Sequence, residues 1–109
     1  MIPGRNRRMH PRKLLRRPAT VVLEGQPPRD VRTWDLGLDG MCLLTPRPIP
    51  PGTRCEVSFE VPVGDHSSSI KAPVKVLYCS FSGPDGFKVG TAFGDLDEES
   101  LDVVKEFAR

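Results

Sequence analysis

An all-β fold, a small antiparallel barrel or sandwich with one helix packed on it, is what this sequence predicts. Two observations carry the prediction. Apolar residues recur with a period of two in one short run after another, at intervals of roughly ten residues, which is the signature of half-buried strands in a compact β domain. The period changes to a helical one only in the last stretch, DLDEESLDVVKEFAR.

Six runs read as strands. ATVVLEG, RDVRTWDL and GMCLLT are β-branched or apolar segments bounded by GQPP, by a DG pair and by PRPIPPG, where glycine supplies positive φ and proline presets it. TRCEVSFEVPV is the clearest: Cys55, Val57, Phe59, Val61 and Val63 share one phase, and Glu56, Ser58 and Glu60 the other. In IKAPVKVLYC the residues Ile70, Ala72, Val74, Val76 and Tyr78 form the apolar phase, and Pro73, which cannot donate to a ladder, points to an edge or a bulge. FKVGTAF repeats the pattern through Phe87, Val89 and Phe93. The loop GDHSSS between the fourth and fifth runs reads as a solvated hairpin tip.

The tail predicts one helix over residues 97–108. Leu101, Val104 and Phe107 recur at three-residue steps, Asp97 is placed to cap the N-terminus, and Glu98, Glu99 and Asp102 put negative charge where the helix dipole favours it. Residues 18–109 therefore form the body. Residues 1–17 form an arm, expected to be flexible: it holds seven cations, no acid and few apolar groups with which to bury itself.

The charge is lopsided. The whole chain of 109 residues carries sixteen basic and fourteen acidic side chains, but Arg5, Arg7, Arg8, Arg12, Lys13, Arg16 and Arg17 leave the body with nine basic against fourteen acidic, a net of −5. A body of that sign repels a long polyanion, so a compact, multiply charged anion suits the arm better than nucleic acid. An RNA-binding barrel would also want aromatic stacking platforms, and the few aromatic residues sit mostly in core phase. No run of eighteen apolar residues and no secretory h-region occur, which makes a cytoplasmic protein the expectation. Cys42, Cys55 and Cys79 are widely spaced in apolar runs and read as free buried thiols; no paired metal-ligand spacing is present. Neither a carboxylate pair nor a phosphate-loop signature occurs, and Ser67–Ser69 beside His66 lack a fixed base, so the expectation is a non-enzymatic protein.

The stretch WDLGLDG, Trp34 to Gly40, sits between two strand runs about twenty residues beyond the guanidinium cluster. By itself it reads as a β-turn with an Asx-type bond. Together with the arm it offers what a guanine nucleotide requires. An Arg fork suits guanine O6 and N7, a carboxylate suits N1–H and N2–H₂, and further arginines hold phosphates bidentately.

On these residues the chain resembles the PilZ domain family, bacterial receptors for cyclic diguanylate (cyclic di-GMP). The family's Arg-x-x-x-Arg matches Arg8 to Arg12, preceded by Arg7, and its Asp-x-Ser-x-x-Gly matches Asp35 to Gly40. IPPGTRCEVSFEVP and KVGTAFGDLDEES have the family's character, and the likeness runs from about His10 to Ala108. It implies a six-stranded antiparallel barrel with a C-terminal helix, whose arm wraps the ligand against the face carrying the Asp motif. By carry-over, Arg7, Arg8, Arg12, Asp35, Gly37 and Gly40 are ligand-binding positions, with Gly40 permitting the turn. Arg7, a basic residue before the first motif arginine, goes in the family with two stacked ligand molecules. Arg12-x-x-x-Arg16 fits the same spacing; Arg8 with Arg12 is preferred because Arg16 and Arg17 abut the first strand.

Gly37 departs from the family, which has Ser or Asn there. Loss of one neutral hydrogen bond to the ligand is worth about 1 kcal/mol, roughly fivefold to tenfold in affinity. That departure sustains an alternative, a PilZ-like protein adaptor that no longer binds nucleotide. Because Arg8 and Arg12 belong to the arm, their substitution is expected to leave thermal stability near wild type. A downstream protein partner is expected but not named by the sequence.

Overall fold

The computed structural model describes residues 11–109. Seven strands and one helix follow in order: β1 (Arg12–Leu14), β2 (Pro18–Leu23), β3 (Arg29–Gly37), β4 (Gly40–Thr45), β5 (Arg54–Val63), β6 (His66–Phe81), β7 (Phe87–Phe93) and α1 (Glu98–Ala108). Antiparallel pairing runs β2–β5–β6–β7–β4–β3 and returns to β2, so six strands close into a barrel. The extra strand, β1, lies outside that ring along β3, with Arg12 opposite Gly37 and Leu14 opposite Asp35.

The period-two phases become the inside of the barrel. Val21, Leu36, Met41, Leu43, Val57, Val61, Ala72, Val76 and Val89 are all buried, with Ile49 from the β4–β5 connection among them. The helix covers the barrel against β5, β3 and β6. Asp97 caps it: its carboxylate accepts from the Ser100 backbone N–H at 2.7 Å, which holds the Asp97 carboxyl below its usual range, while Val104 is fully buried.

Three details differ from the sequence reading, each for a physical reason. Tyr78 is not in core phase, because the β6–β7 register shifts between Val76 and Tyr78; the extra residue turns Tyr78 outward, 43% exposed. The GDHSSS segment is mostly strand: Ser67, Ser68 and Ser69 pair with Pro62, Val61 and Glu60, and only Gly64 (φ 63°) and Asp65 turn. Pro73 lies where the β7 ladder ends, its carbonyl accepting from Gly94 N–H at 2.8 Å, so a strand paired on both sides accommodates it.

Residues 12–17, assigned to the arm in the sequence, are stitched to β3. Leu15 N–H donates to Trp34 O at 3.1 Å, Thr33 N–H to Arg17 O at 2.8 Å, and Arg17 N–H to the Thr33 hydroxyl at 2.9 Å; that hydroxyl in turn donates to Leu15 O. Leu15 joins the core, and Lys13 Nζ reaches the carbonyl of Arg109 just beyond α1 at 2.5 Å. Arg5, Arg7, Arg8 and His10 lie outside the described residues.

Gly40 matters for close approach and not for a special backbone angle, since its φ is not positive. A Cβ there would sit 2.0 Å from the Thr91 carbonyl oxygen of β7. Gly40→Ala is therefore expected to cost about 3 kcal/mol of unfolding free energy by forcing backbone apart, measured by denaturant titration. Gly25→Ala, in an open turn at φ 73°, should cost only about 1–2 kcal/mol from the backbone angle. Equal losses would contradict the packing role of Gly40.

Candidate functional site

Asp35 is placed by an irregularity. The β3–β4 register shifts between Thr33 and Asp35, so Trp34 occupies a bulge and Asp35 comes opposite Cys42. Its carboxylate is nearly buried and accepts from Cys42 N–H at 3.2 Å. The other partner comes from 23 residues upstream: Arg12 Nη1 donates to Asp35 Oδ1 at 3.1 Å. On its other side, Arg12 Nε stands 3.5 Å from Asp39 Oδ1, an ion pair too long to be a full hydrogen bond, although both atoms are buried. The Arg12 side chain is only 9% exposed.

Gly37 makes this possible. A Cβ at that position would lie 2.8 Å from the Pro11 carbonyl oxygen and 3.2 Å from Arg12 Cδ. With no side chain there, β1 lies flat on β3 and Arg12 extends along the corner to both carboxylates. Position 37, where the sequence suggests a missing hydroxyl, is thus also the floor on which the arm rests.

A row of cross-strand neighbours continues from Asp35 across the barrel's outer face, through Cys42 on β4 and Gly90 on β7 to Tyr78 on β6. A Cβ on Gly90 would fall 2.1 Å from Tyr78 Cε2, so the ring lies directly over the bare glycine. Tyr78 shares a side-chain hydrogen bond with Cys42, whose thiol is nevertheless pushed up, first by burial and then by the Asp35 charge. Beside this row, the Arg16 guanidinium stacks 3.6 Å over the Trp34 ring and Lys88 Nζ lies 4.5 Å from it.

Of the positions singled out in the sequence, Arg12, Asp35, Gly37 and Gly40 fall on one corner; Arg7 and Arg8 lie outside the described residues. Sequence reasoning missed Asp39, Gly90 and the outward aim of Tyr78. A glycine in the middle of FKVGTAF, where strands avoid it, was the available signal for close approach. The corner is a ledge and not a cavity. The larger hollows, about 600 Å³ lined in part by Arg17, Asp30, Glu60 and Lys71 and about 740 Å³ lined in part by Asp30, Arg32 and Asp85, lie elsewhere, and among the described residues no ion pair joins their charged groups as Arg12 joins Asp35.

A closed six-stranded barrel with a basic strand laid on an Asp-x-Gly-x-x-Gly corner defines a class of small antiparallel β-barrels with one C-terminal helix. The chain belongs to the PilZ domain family, whose model matches residues 6–109. No curated protein matches it in sequence. Among solved structures it is similar to the Bacillus subtilis inhibitor of motility, MotI/DgrA, with TM-score 0.73 and 10% identity over 91% of this chain and 48% of that one. It is also similar to the Borreliella burgdorferi PlzA protein in complex with c-di-GMP, with TM-score 0.70 and 18% identity over 98% of this chain and 43% of that one. The chain thus spans under half the length of these solved chains.

The expectation for Arg12 changes with this geometry. Arg12→Ala strips a nearly buried carboxylate of its charged partner, which is expected to lower unfolding free energy by about 1–3 kcal/mol. In a double-mutant cycle with Asp35→Ala, the combined loss should be smaller than the sum. Additive losses would show that the pair is not energetically coupled.

Proposed function

We propose that this chain is a non-enzymatic bacterial cytoplasmic receptor for cyclic di-GMP that binds on the Arg12–Asp35 corner. The single observation that carries the reading is the contact between Arg12 and Asp35: two motif fragments far apart in sequence meet on one outer face. Membership of the PilZ family and the likeness to a c-di-GMP-bound protein support the ligand class.

The chemistry is an exchange of donors. A guanine edge presents N1–H and N2–H₂ side by side, the same array of N–H groups that a guanidinium presents. A guanine seated on Asp35 competes with Arg12 for the carboxylate and releases the Arg12 fork to a phosphate or to O6 and N7. Arg7 and Arg8 supply further guanidiniums for the second phosphate and base, and Arg7 fits two stacked ligand molecules. Tyr78, spread over Gly90 in the same row, offers a face on which a base can stack. Arg16, engaged on Trp34, leaves Arg8 with Arg12 as the preferred register. Ordering of the arm by ligand concerns chiefly residues upstream of Arg12, since Arg12–Leu14 already pair with β3.

The second reading, an adaptor that does not bind nucleotide, draws on Gly37 and on the engagement of Asp35 by Arg12. Titration calorimetry separates the two: saturable binding of cyclic di-GMP without binding of GTP is expected of the receptor, and no heat with either of the adaptor. Asp35→Ala and Arg8→Ala should each weaken binding at least about tenfold. Gly37→Ser both restores the family hydroxyl and loosens Arg12 from the corner, so affinity should rise; unchanged or weaker affinity would mean that the close seat of β1 on Gly37 is needed in the complex.

A further inference from the structure

β5 accompanies β6 only part of the way. Their ladder ends at Arg54 opposite Lys75, followed by Val76 N–H donating to Thr53 O at 2.8 Å and Gly52 N–H donating to Val76 O at 2.7 Å. Gly52, at φ 89°, then turns the chain away. Beyond that point β6 runs on to Phe81 with β7 on one side, and among the described residues no strand pairs with its other side. The barrel is closed, yet this segment is an open edge of the sheet β3–β4–β7–β6.

Open edges are usually protected by charge, proline or a bulge. Here the bulge stands at the upper end, near Leu77, and the stretch Val76–Gly83 contains no charged residue and no proline. Leu77 is 54% and Phe81 75% exposed, two of the few large apolar side chains left on the surface of the described residues. Phe81 does not hang free in solvent; it meets Phe87 edge to face with centroids 5.6 Å apart.

We infer that the Leu77–Phe81 edge is a self-association surface, on which a second copy of this chain adds its own β6 antiparallel about Cys79. The strand is its own complement. Under a two-fold axis through the Cys79 pair, Leu77 of each copy faces Phe81 of the other, and Tyr78 faces Ser80, so the two most exposed apolar residues of the edge each gain an apolar neighbour. The same register carries the turn holding Asp85 in one copy toward the end of β5 in the other, where Arg54 and Lys75 pair, so the charges that approach are opposite in sign. The contact closes on itself and stops at a dimer. It does not depend on the nucleotide reading.

Sedimentation equilibrium of the full chain under reducing conditions, from micromolar to millimolar concentration, tests the inference. A monomer–dimer equilibrium is expected, with Phe81→Lys and Leu77→Lys each weakening dimerisation at least about tenfold at unchanged circular dichroism, because both side chains are exposed. Directly opposed residues in an antiparallel pair have Cα atoms about 4.5–5.5 Å apart, within disulfide reach. Oxidation by copper phenanthroline and dioxygen should therefore join two chains through Cys79 and cease in Cys79→Ser while persisting in Cys55→Ser. A protein that stays monomeric throughout, a dimer indifferent to both lysine substitutions, or a series of larger oligomers would overturn the inference.

Discussion

Everything in this molecule passes through β3. That strand closes the barrel by pairing with β2 along its first half and with β4 along its second, and it holds β1 on its outer flank. Three partners on one strand are possible because the neighbours divide its length: β2 ends its pairing at Arg32, and β1 begins at Asp35 on the edge that β2 has left. Thr33 stands at the handover, its hydroxyl and N–H tying residues 15–17 into the sheet. The polar groups of the arm's inner half are met by this strand, and the basic segment is thereby delivered to the acidic corner.

The corner balances opposing costs. Asp35 is nearly buried, and burying a carboxylate is costly unless it is paired and hydrogen-bonded; the Arg12 guanidinium and the Cys42 N–H supply both. Asp39 adds a second negative charge that Arg12 meets incompletely. A guanidinium with one good and one poor partner is a group that can be exchanged. Glycines at 37 and 90 keep the surface beside it flat, the first so that backbone can lie down and the second so that an aromatic ring can.

Much of this was legible in the sequence, and the failures are instructive. Strands such as Arg54–Val63 were readable because one face is apolar at strict period two, and the helix because Asp97 supplies a cap ahead of the stripe Leu101, Val104 and Phe107. Tyr78 was misread because a bulge adds one residue without disturbing the apolar count, so that alternation counted through Leu77 assigns everything beyond it to the wrong face. β1 was invisible because Arg12-Lys13-Leu14 has no apolar alternation; it is a strand only because β3 offers an edge and Gly37 offers room. Asp35 and Gly40 were singled out by their motif, and the fold sets both beside Arg12's strand or its neighbour. Asp39 was not, since it falls on a position the motif leaves open.

The amide of Cys42 reports on the central claim most directly, because its hydrogen is bonded to the Asp35 carboxylate that Arg12 engages and that the proposed ligand would take over. In a proton–nitrogen correlation spectrum titrated with cyclic di-GMP, the amides of Cys42, Gly37 and Lys13 should shift together to saturation while Val57, on the far strand β5, stays in place. A titration that leaves Cys42 and Gly37 unmoved, or one whose shifts centre on Thr20, Ser58 and Lys71, would contradict a nucleotide site on this corner.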